Sequence, residues 1–254
     1  MLRLWPKRLH AGLFPDQCWL RTPADELVRK IPLGAGDAQG MLAAFDALLG
    51  EYAHTSKGTC TVSLTVSDSV AAIVGLPWQD ALSGPEELDA YADACFEQIG
   101  QTVNDGWTMN SYFRHYRAMG LAYALPTAWL DLLNEIIQTH GMRLDSVLPV
   151  TAAAFGRHRR AGNGKTSVLI LRETNRTSAL VYGASGLVDY TMEPTTKRGP
   201  ESLSRLLRRL AGAHEIASVA DWSADSADDT AWHELITACA PKAKYTRVKR
   251  DAWS

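Results

Sequence analysis

The sequence offers few residues in the arrangements that catalysis requires. Its cysteines lie far apart, and they form neither a CxxC pair nor a zinc-ligand set with histidine; they are Cys18, Cys60, Cys95 and Cys239. We predict that they are reduced core thiols in a cytosolic protein. No GxSxG motif occurs and the 7 histidines are scattered, so no serine or cysteine triad can be proposed.

Long apolar runs and a strong charge of one sign are also missing. The longest apolar run extends only from Val70 to Trp78, whereas about 20 residues are needed to cross a bilayer. Charge and proline interrupt the opening MLRLWPKRLHAGLF, so no signal peptide is predicted. The net charge of −2 argues against a protein built to hold nucleic acid by its phosphates. We expect a cytoplasmic chain that reaches a membrane only through a partner.

What the sequence does contain is a repeated order of secondary structure. Its composition, 46% hydrophobic and 21% charged, is that of a globular protein. Apolar periodicity and turn residues predict three strands, a helix and a strand, in that order, over residues 9–66 and again over 167–220. In the second copy we expect an antiparallel meander of Ser167–Arg172, Thr177–Tyr182 and Leu187–Met192. The helix that follows should pack on this sheet through Leu203, Leu206, Leu207 and Leu210.

A duplicated β-β-β-α-β unit is the plan of the actin-like, ribonuclease-H-like fold. The predicted fold class is therefore α/β, with two actin-like lobes. The polar link Arg159–Lys165 is the predicted boundary, which gives a first lobe over 1–158 and a second over 159–254.

Several local features are predicted between the two copies. Ser83 and Glu86 fit a capping box, and Thr127 is placed to cap the next helix. A strand is expected over Trp107–Tyr116, and Trp78 is expected in the core. Val147 should lie in a buried strand, so that Val147→Asp would destabilise by several kcal/mol, because it buries an unpaired charge.

The segment HGMRLDSVLPVTAAAF (His140–Phe155) resembles the connection between lobes in actin-like proteins of bacterial envelope machines. These are the PilM-like cytoplasmic protein of type IV pilus assembly and the cytoplasmic domain of type II secretion protein L. Their usual pattern is a glycine, a strand, Ser-Val-x-Pro and a helix of small residues. It is matched here by Gly141, Ser146, Val147, Pro149 and Ala152–Ala154. The upstream stretch AAIVGLPWQDAL (Ala71–Leu82) resembles the first lobe of the same proteins.

The chain departs from this pattern at the turns that hold phosphate in ATP-using members. Those members carry Asp-x-Gly between the first two strands of each lobe, because glycine lets backbone amides approach phosphate. Here the turns read LFPDQCW and LRETNRTS, with Pro15 in the first and Arg172 and Glu173 in the second. The resemblance to the secretion-type members therefore implies a protein without enzymatic activity or cofactor. The alternative is an actin-like ATPase that binds ATP between the lobes.

Two near-motifs predict no site. GNGKT, residues 162–166, lacks the first glycine of a P-loop because that position is Arg159, and a strand is expected to follow it. HELIT, residues 233–237, carries Thr237 where a metalloprotease helix has its second histidine, so no metal site is expected.

Charge is segregated along the second lobe. Residues 197–209 carry five basic residues against Glu201, and residues 221–234 carry five acidic residues and no Lys or Arg. Either these are two solvated helix faces that offset each other, or the basic face meets an acidic partner or anionic lipid. Under the second interpretation the candidate partner contacts are Arg205, Arg208 and Arg209. Aromatic residues are not interleaved with these charges, so nucleic acid is not an expected partner.

The resemblance implies a non-catalytic cytoplasmic scaffold in a type IV pilus or type II secretion platform. Its expected partner is the cytoplasmic segment of a single-span inner-membrane platform protein, with a cytoplasmic motor ATPase as a second partner. The sequence leaves the oligomeric state open. Besides the ATPase alternative, a regulatory binding domain of the same fold, unconnected with secretion, is also open.

Overall fold

The computed structural model describes residues 7–22, 27–32, 38–55, 60–158, 164–194, 201–224 and 230–249. The first unit consists of β1 (Lys7–Phe14), β2 (Gln17–Arg21), β3 (Leu27–Pro32), α1 (Ala38–Thr55) and β4 (Cys60–Val66). β1 and β2 form the hairpin that their apolar runs predicted, and β3 pairs antiparallel with β2. β4 pairs parallel with β1, because α1 carries the chain back across the sheet.

An insertion after β4 builds a smaller sheet. Its elements are β5 (Ala72–Leu76), α2 (Pro85–Gln98), β6 (Trp107–Tyr112) and β7 (Gly120–Pro126). The antiparallel strand order is β5-β7-β6, and α2 covers the sheet through Ala92, Cys95 and Phe96.

The chain then returns to the first sheet. α3 (Thr127–Thr139) leads to β8 (Arg143–Pro149), which pairs parallel with β4 and completes the order β3-β2-β1-β4-β8. α4 (Val150–Arg157) follows directly, with its first six residues buried.

The second unit repeats this plan. Its elements are β9 (Thr166–Arg172), β10 (Arg176–Tyr182), β11 (Leu187–Pro194), α5 (Glu201–Ala213), β12 (Ile216–Ser223), α6 (Thr230–Cys239) and β13 (Lys244–Arg247). The order β11-β10-β9-β12-β13 matches that of the first sheet, strand for strand. The antiparallel meander is confirmed, and so is the helix that packs on it, since all four predicted leucines are buried against the sheet. The predicted lobe boundary adjoins residues outside the described part and stays a prediction.

The largest cluster of buried apolar side chains joins the two sheets. It contains Phe14 and Leu64 from the first sheet together with Leu169, Leu180 and Trp222 from the second. The two sheets therefore share a core where they meet. None of the helices in the described residues is long and apolar enough to cross a membrane.

Several local predictions are wrong. The capping box does not form: Ser83 donates its N–H and its hydroxyl to Glu87, and Gly84 is the N-cap of α2. Thr127 is the first residue of α3 rather than its cap, and its hydroxyl lies 3.0 Å from that of Thr108. The strand predicted over Trp107–Tyr116 ends at Tyr112.

Other predictions of burial hold in part. Cys18, Cys60 and Cys95 are buried, whereas Cys239 is half-buried. Trp78 is half-buried rather than in the core, and its ring meets those of Phe113 and Tyr116 at the surface. Val147 is likewise only half-buried, because β8 is the edge strand of its sheet.

Candidate functional site at the junction of the two sheets

The β1–β2 turn and the β9–β10 turn both lie where the two sheets meet. Phe14, the last residue of β1, packs against Trp222 on β12, with 5.9 Å between the centroids of their rings. Gln17, the first residue of β2, donates from its side-chain amide to the carbonyl of Ala224. Side chains from each sheet therefore fill the space between them.

A pair of buried carboxyl groups links the sheets a short distance away. Asp68 lies in the short 3-10 helix after β4 and is completely buried. Glu173 begins the turn after β9 and is 8% exposed. The backbone N–H of Asp68 donates to Glu173 Oε2 at 3.1 Å, although the two residues are 105 positions apart in the chain.

Asp68 also holds the beginning of α4. Its Oδ1 accepts from the backbone N–H of Thr151 at 3.0 Å, and its Oδ2 accepts from the Thr151 hydroxyl at 2.5 Å. The first backbone N–H groups of a helix lack partners within the helix and favour an anion. Asp68 therefore supplies from another segment the acceptor that Pro149, the N-cap, cannot.

Burial opposes the ionisation of this pair. It raises the pKa of Asp68, against the lowering effect of the two Thr151 hydrogen bonds. Burial and the neighbouring Asp68 raise the pKa of Glu173 to about 8, while Ser67 and Arg176 act in the opposite direction. Because Asp68 accepts both bonds from Thr151, we assign the shared negative charge to Asp68 and the proton to Glu173 at neutral pH.

Arg172 does not face the junction. Its guanidinium forms a bidentate pair with buried Asp221, with both N–O distances 2.8 Å, and lies 4.6 Å over the ring of Trp232. Arg247 reaches the same carboxylate at 2.7 Å. The interpretation of Asp221 as part of a solvated acidic face is therefore wrong: it is the centre of a buried ion network.

The three arginines proposed as partner contacts lie together on the outer face of α5. All are exposed. Arg209 pairs with Glu193 at 3.1 Å and donates to Thr191, both on β11. Arg205 and Arg208 form no ion pair with the other described residues. Their role as partner contacts stays a prediction, and other basic residues of this cluster lie outside the described residues.

A depression of about 850 Å³ lies at the opposite edge of the second sheet from the junction. It is lined by the first residues of β9, β12 and β13 and by the exposed cations Lys165, Lys242 and Lys244. Ala211 of α5 also lines it, one helical turn from Arg208. Sequence analysis missed this basic region because its lysines come from separate segments.

The described residues of the two near-motifs lie at the beginning of β9 and on α6. A strand, β9, begins at Thr166, the last residue of the P-loop-like segment, where a P-loop would continue into a helix. His233 packs against the ring of Tyr245 and is exposed. Among the described residues, no three His, Cys, Asp or Glu side chains converge as a metal site would require.

The sequence matches no protein-family model and no curated protein. Solved structures do match. A Bacteroides thetaiotaomicron protein with an actin-like ATPase fold and unknown function gives a TM-score of 0.62 at 8% identity, over 97% of this chain and 94% of that one.

Both kinds of envelope protein named by the sequence resemblance are also among the matches. The PilM–PilN type IV pilus biogenesis complex gives a TM-score of 0.65 at 12% identity, over 96% of this chain and 89% of that one. The cytoplasmic domain of EpsL, from the type II secretion system of Vibrio cholerae, gives a TM-score of 0.52 at 12% identity, over 94% of this chain and 97% of that one. The chain therefore has the two-lobed actin-like fold that its duplicated unit predicted.

Proposed function

We propose that the chain is a non-catalytic scaffold of a type IV pilus- or type II secretion-like inner-membrane platform, where it binds a cytoplasmic segment of a membrane protein. The observation that carries the proposal is the filled junction. Where ATP-using actin-like proteins hold phosphate on glycine turns, this chain has Phe14 against Trp222 and the carboxyl pair Asp68 and Glu173. Without a recognisable reaction centre, a binding surface is the more economical use of the fold.

The chemistry of the junction opposes a nucleotide. A phosphate placed beside the Asp68 carboxylate meets like charge in a buried setting, where repulsion is strong. Pro15 has no N–H to donate, and neither turn has the glycine that would let its backbone approach closely. We expect calorimetric titration with Mg-ATP to give no binding heat. Micromolar affinity would instead favour the actin-like ATPase.

Solved structures that share the fold support the proposed kind of partner. One of them is a pilus complex of PilM with PilN, and another belongs to an inner-membrane component of a secretion system. We propose that this chain lies at the cytoplasmic face of the inner membrane, held there by a single-span platform protein. A cytoplasmic motor ATPase is the proposed second partner.

The exposed basic face of α5 is the proposed secondary contact. Arg205 and Arg208 are the cations to test, because Arg209 is engaged with Glu193. An ionic contact there should weaken with salt, since exposed charges are screened over about 8–10 Å at physiological ionic strength.

The test is a pull-down from detergent-solubilised membranes, with captured proteins identified by mass spectrometry. We expect wild type to recover a single-span membrane protein in mild salt, and the Arg205→Glu/Arg208→Glu variant to recover less of it. Lys7→Glu/Arg143→Glu makes the same charge change at exposed positions on the first sheet and serves as the control. Failure of wild type to recover any membrane protein contradicts the scaffold. If Arg205→Glu/Arg208→Glu recovers as much of the membrane protein as the control variant does, only the α5 contact is removed.

A further inference from the structure

The carboxyl pair occupies a position from which it can control how the two sheets meet. Asp68 lies between β4 of the first sheet and β5 of the smaller sheet, and it holds the beginning of α4 through Thr151. Glu173 lies in the hairpin turn of the second sheet. Through its bond to Glu173 and the two bonds from Thr151, Asp68 therefore links the segment between two sheets to the second sheet and to α4.

We infer that Asp68 and Glu173 form a protonation-controlled latch, which holds the two sheets together while the pair carries one proton and loosens the junction when it carries none.

The charged and titratable groups around the pair support a single negative charge. Arg176 on β10 acts on both carboxyls, and the Tyr190 phenol on β11 interacts with both. Ser67 and Thr151 contribute hydroxyls from the 3-10 segment and from α4. With Glu173 protonated, one carboxylate faces one guanidinium. When Glu173 ionises, two carboxylates face that cation in a buried space, and this costs free energy.

One atom of the pair has no partner in the closed arrangement. Glu173 Oε1 is buried and forms no hydrogen bond, whereas Oε2 accepts from Asp68. An ionised carboxylate needs acceptor bonds on both oxygens, so burial leaves the charged form poorly solvated. Separation of the sheets would give Glu173 the water that the closed junction excludes.

The pH range of the latch follows from the two states of Glu173. In the closed junction its pKa is about 8, and exposed to water it returns towards 4.5. The closed state is therefore fully favoured below pH 4.5 and loses its advantage as pH rises to about 8. The opening equilibrium can increase by up to about tenfold per pH unit in this range, because the open state binds one proton fewer.

Native-state hydrogen exchange of the full chain tests the latch, after correction for the intrinsic pH dependence of exchange. Peptides covering residues 67–76 and 167–176 report the junction, and peptides of α5 report a distant core. In wild type we expect junction protection to fall more than tenfold between about pH 5.5 and pH 8 while α5 protection stays constant. Glu173→Gln should abolish this fall, because glutamine keeps the shape and does not ionise.

Two further variants keep the test decisive. Glu193→Gln changes another partly buried carboxylate of the same sheet, and it should keep the wild-type pH dependence. Asp68→Asn removes the repelling charge but leaves Glu173 buried, so it should reduce the fall in protection without abolishing it, which provides a second readout if Glu173→Gln fails to fold. Junction protection that is independent of pH in wild type, or a Glu173→Gln protein that follows wild type, would overturn the latch.

Discussion

Two residues of the junction, Thr151 and Asp68, show how polar groups can be buried without losing their partners. Thr151 is fully buried, and both its N–H and its hydroxyl bond to Asp68. A buried donor without an acceptor costs about 1–3 kcal/mol, so Asp68 supports the fold as well as the latch. Other junction oxygens are buried without a partner, among them Glu173 Oε1 and Gln17 Oε1.

Gly12 shows the opposite situation, a residue whose missing side chain is required. It pairs with Trp19 across the β1–β2 hairpin, and the indole covers its Cα. A Cβ at this position would lie 2.1 Å from Trp19 Cε2. We therefore expect Gly12→Ala to lower the free energy of unfolding by about 1–3 kcal/mol, as overpacking of a core does. Urea denaturation measures the change.

Gly212 provides the matched control. It lies in α5, and a Cβ there would meet no heavy atom within 4 Å. Gly212→Ala should raise the free energy of unfolding by about 0.5–1 kcal/mol, because alanine is the better helix former. Equal effects of the two substitutions would contradict the packing of Trp19 on Gly12.

The sequence could predict residues whose role is set by their neighbours in the chain. A buried helix face is predicted by spacing alone where apolar residues recur every three or four positions, as they do at Leu203, Leu206, Leu207 and Leu210. The pairing of Asp68 with Glu173 could not be predicted, because it depends on the docking of segments 105 positions apart. Asp221 was misinterpreted for a related reason: in the sequence it belongs to an acidic run, but β12 places it between two arginines.

At the scale of elements, β8 and α4 form the path between the sheets. The sequence predicted both, because Gly141 is typical of the end of a helix and Pro149 separates the strand from the helix. In the structure Gly141 has a φ of 70°, the left-handed conformation expected there. The position of β8 at the edge of its sheet could not be predicted, since it depends on strand order. Edge placement decides how sensitive this strand is to mutation.

Val147 tests that placement. It pairs with Leu64 in the register of β4 and β8, but it is half-buried whereas Leu64 is only 2% exposed. An aspartate at Val147 keeps part of its hydration, so we expect Val147→Asp to destabilise less than the several kcal/mol that full burial would predict. Leu64→Asp is the comparison, and it should be the more damaging change in thermal and urea unfolding. A reversed order would mean that β8 is covered rather than at an edge.

At the scale of the whole molecule, α4 spans the junction with a titratable contact at each end. At its beginning, Thr151 meets Asp68 and, through it, Glu173. Just past its end, His158 packs against Tyr182 on β10 of the second sheet, with 5.5 Å between the centroids of their rings. Burial and the nearby Arg114 lower the pKa of His158 to about 4, since both disfavour its charged form.

The groups at the two ends of α4 should make the free energy of unfolding change with pH in opposite directions. The contribution of Glu173 is present below pH 4.5 and is lost as pH rises to about 8. The contribution of neutral His158 is present above pH 6.5 and is lost as pH falls towards 4. Between about pH 4.5 and 6.5 these two contributions oppose each other, and above 6.5 the loss from Glu173 remains, in the same direction as the loss from Asp68, whose pKa burial also raises.

We therefore expect the free energy of unfolding, measured by urea denaturation, to decline in wild type between about pH 6.5 and 8. His158→Gln should extend this decline down to about pH 4.5, because the opposing histidine is gone. Glu173→Gln should weaken the decline above pH 6.5 and reveal the rise due to His158 below it. His54→Gln, at an exposed position of α1, should leave the wild-type curve unchanged in shape. Parallel curves for all four proteins would show that neither end of α4 couples protonation to the joining of the two sheets.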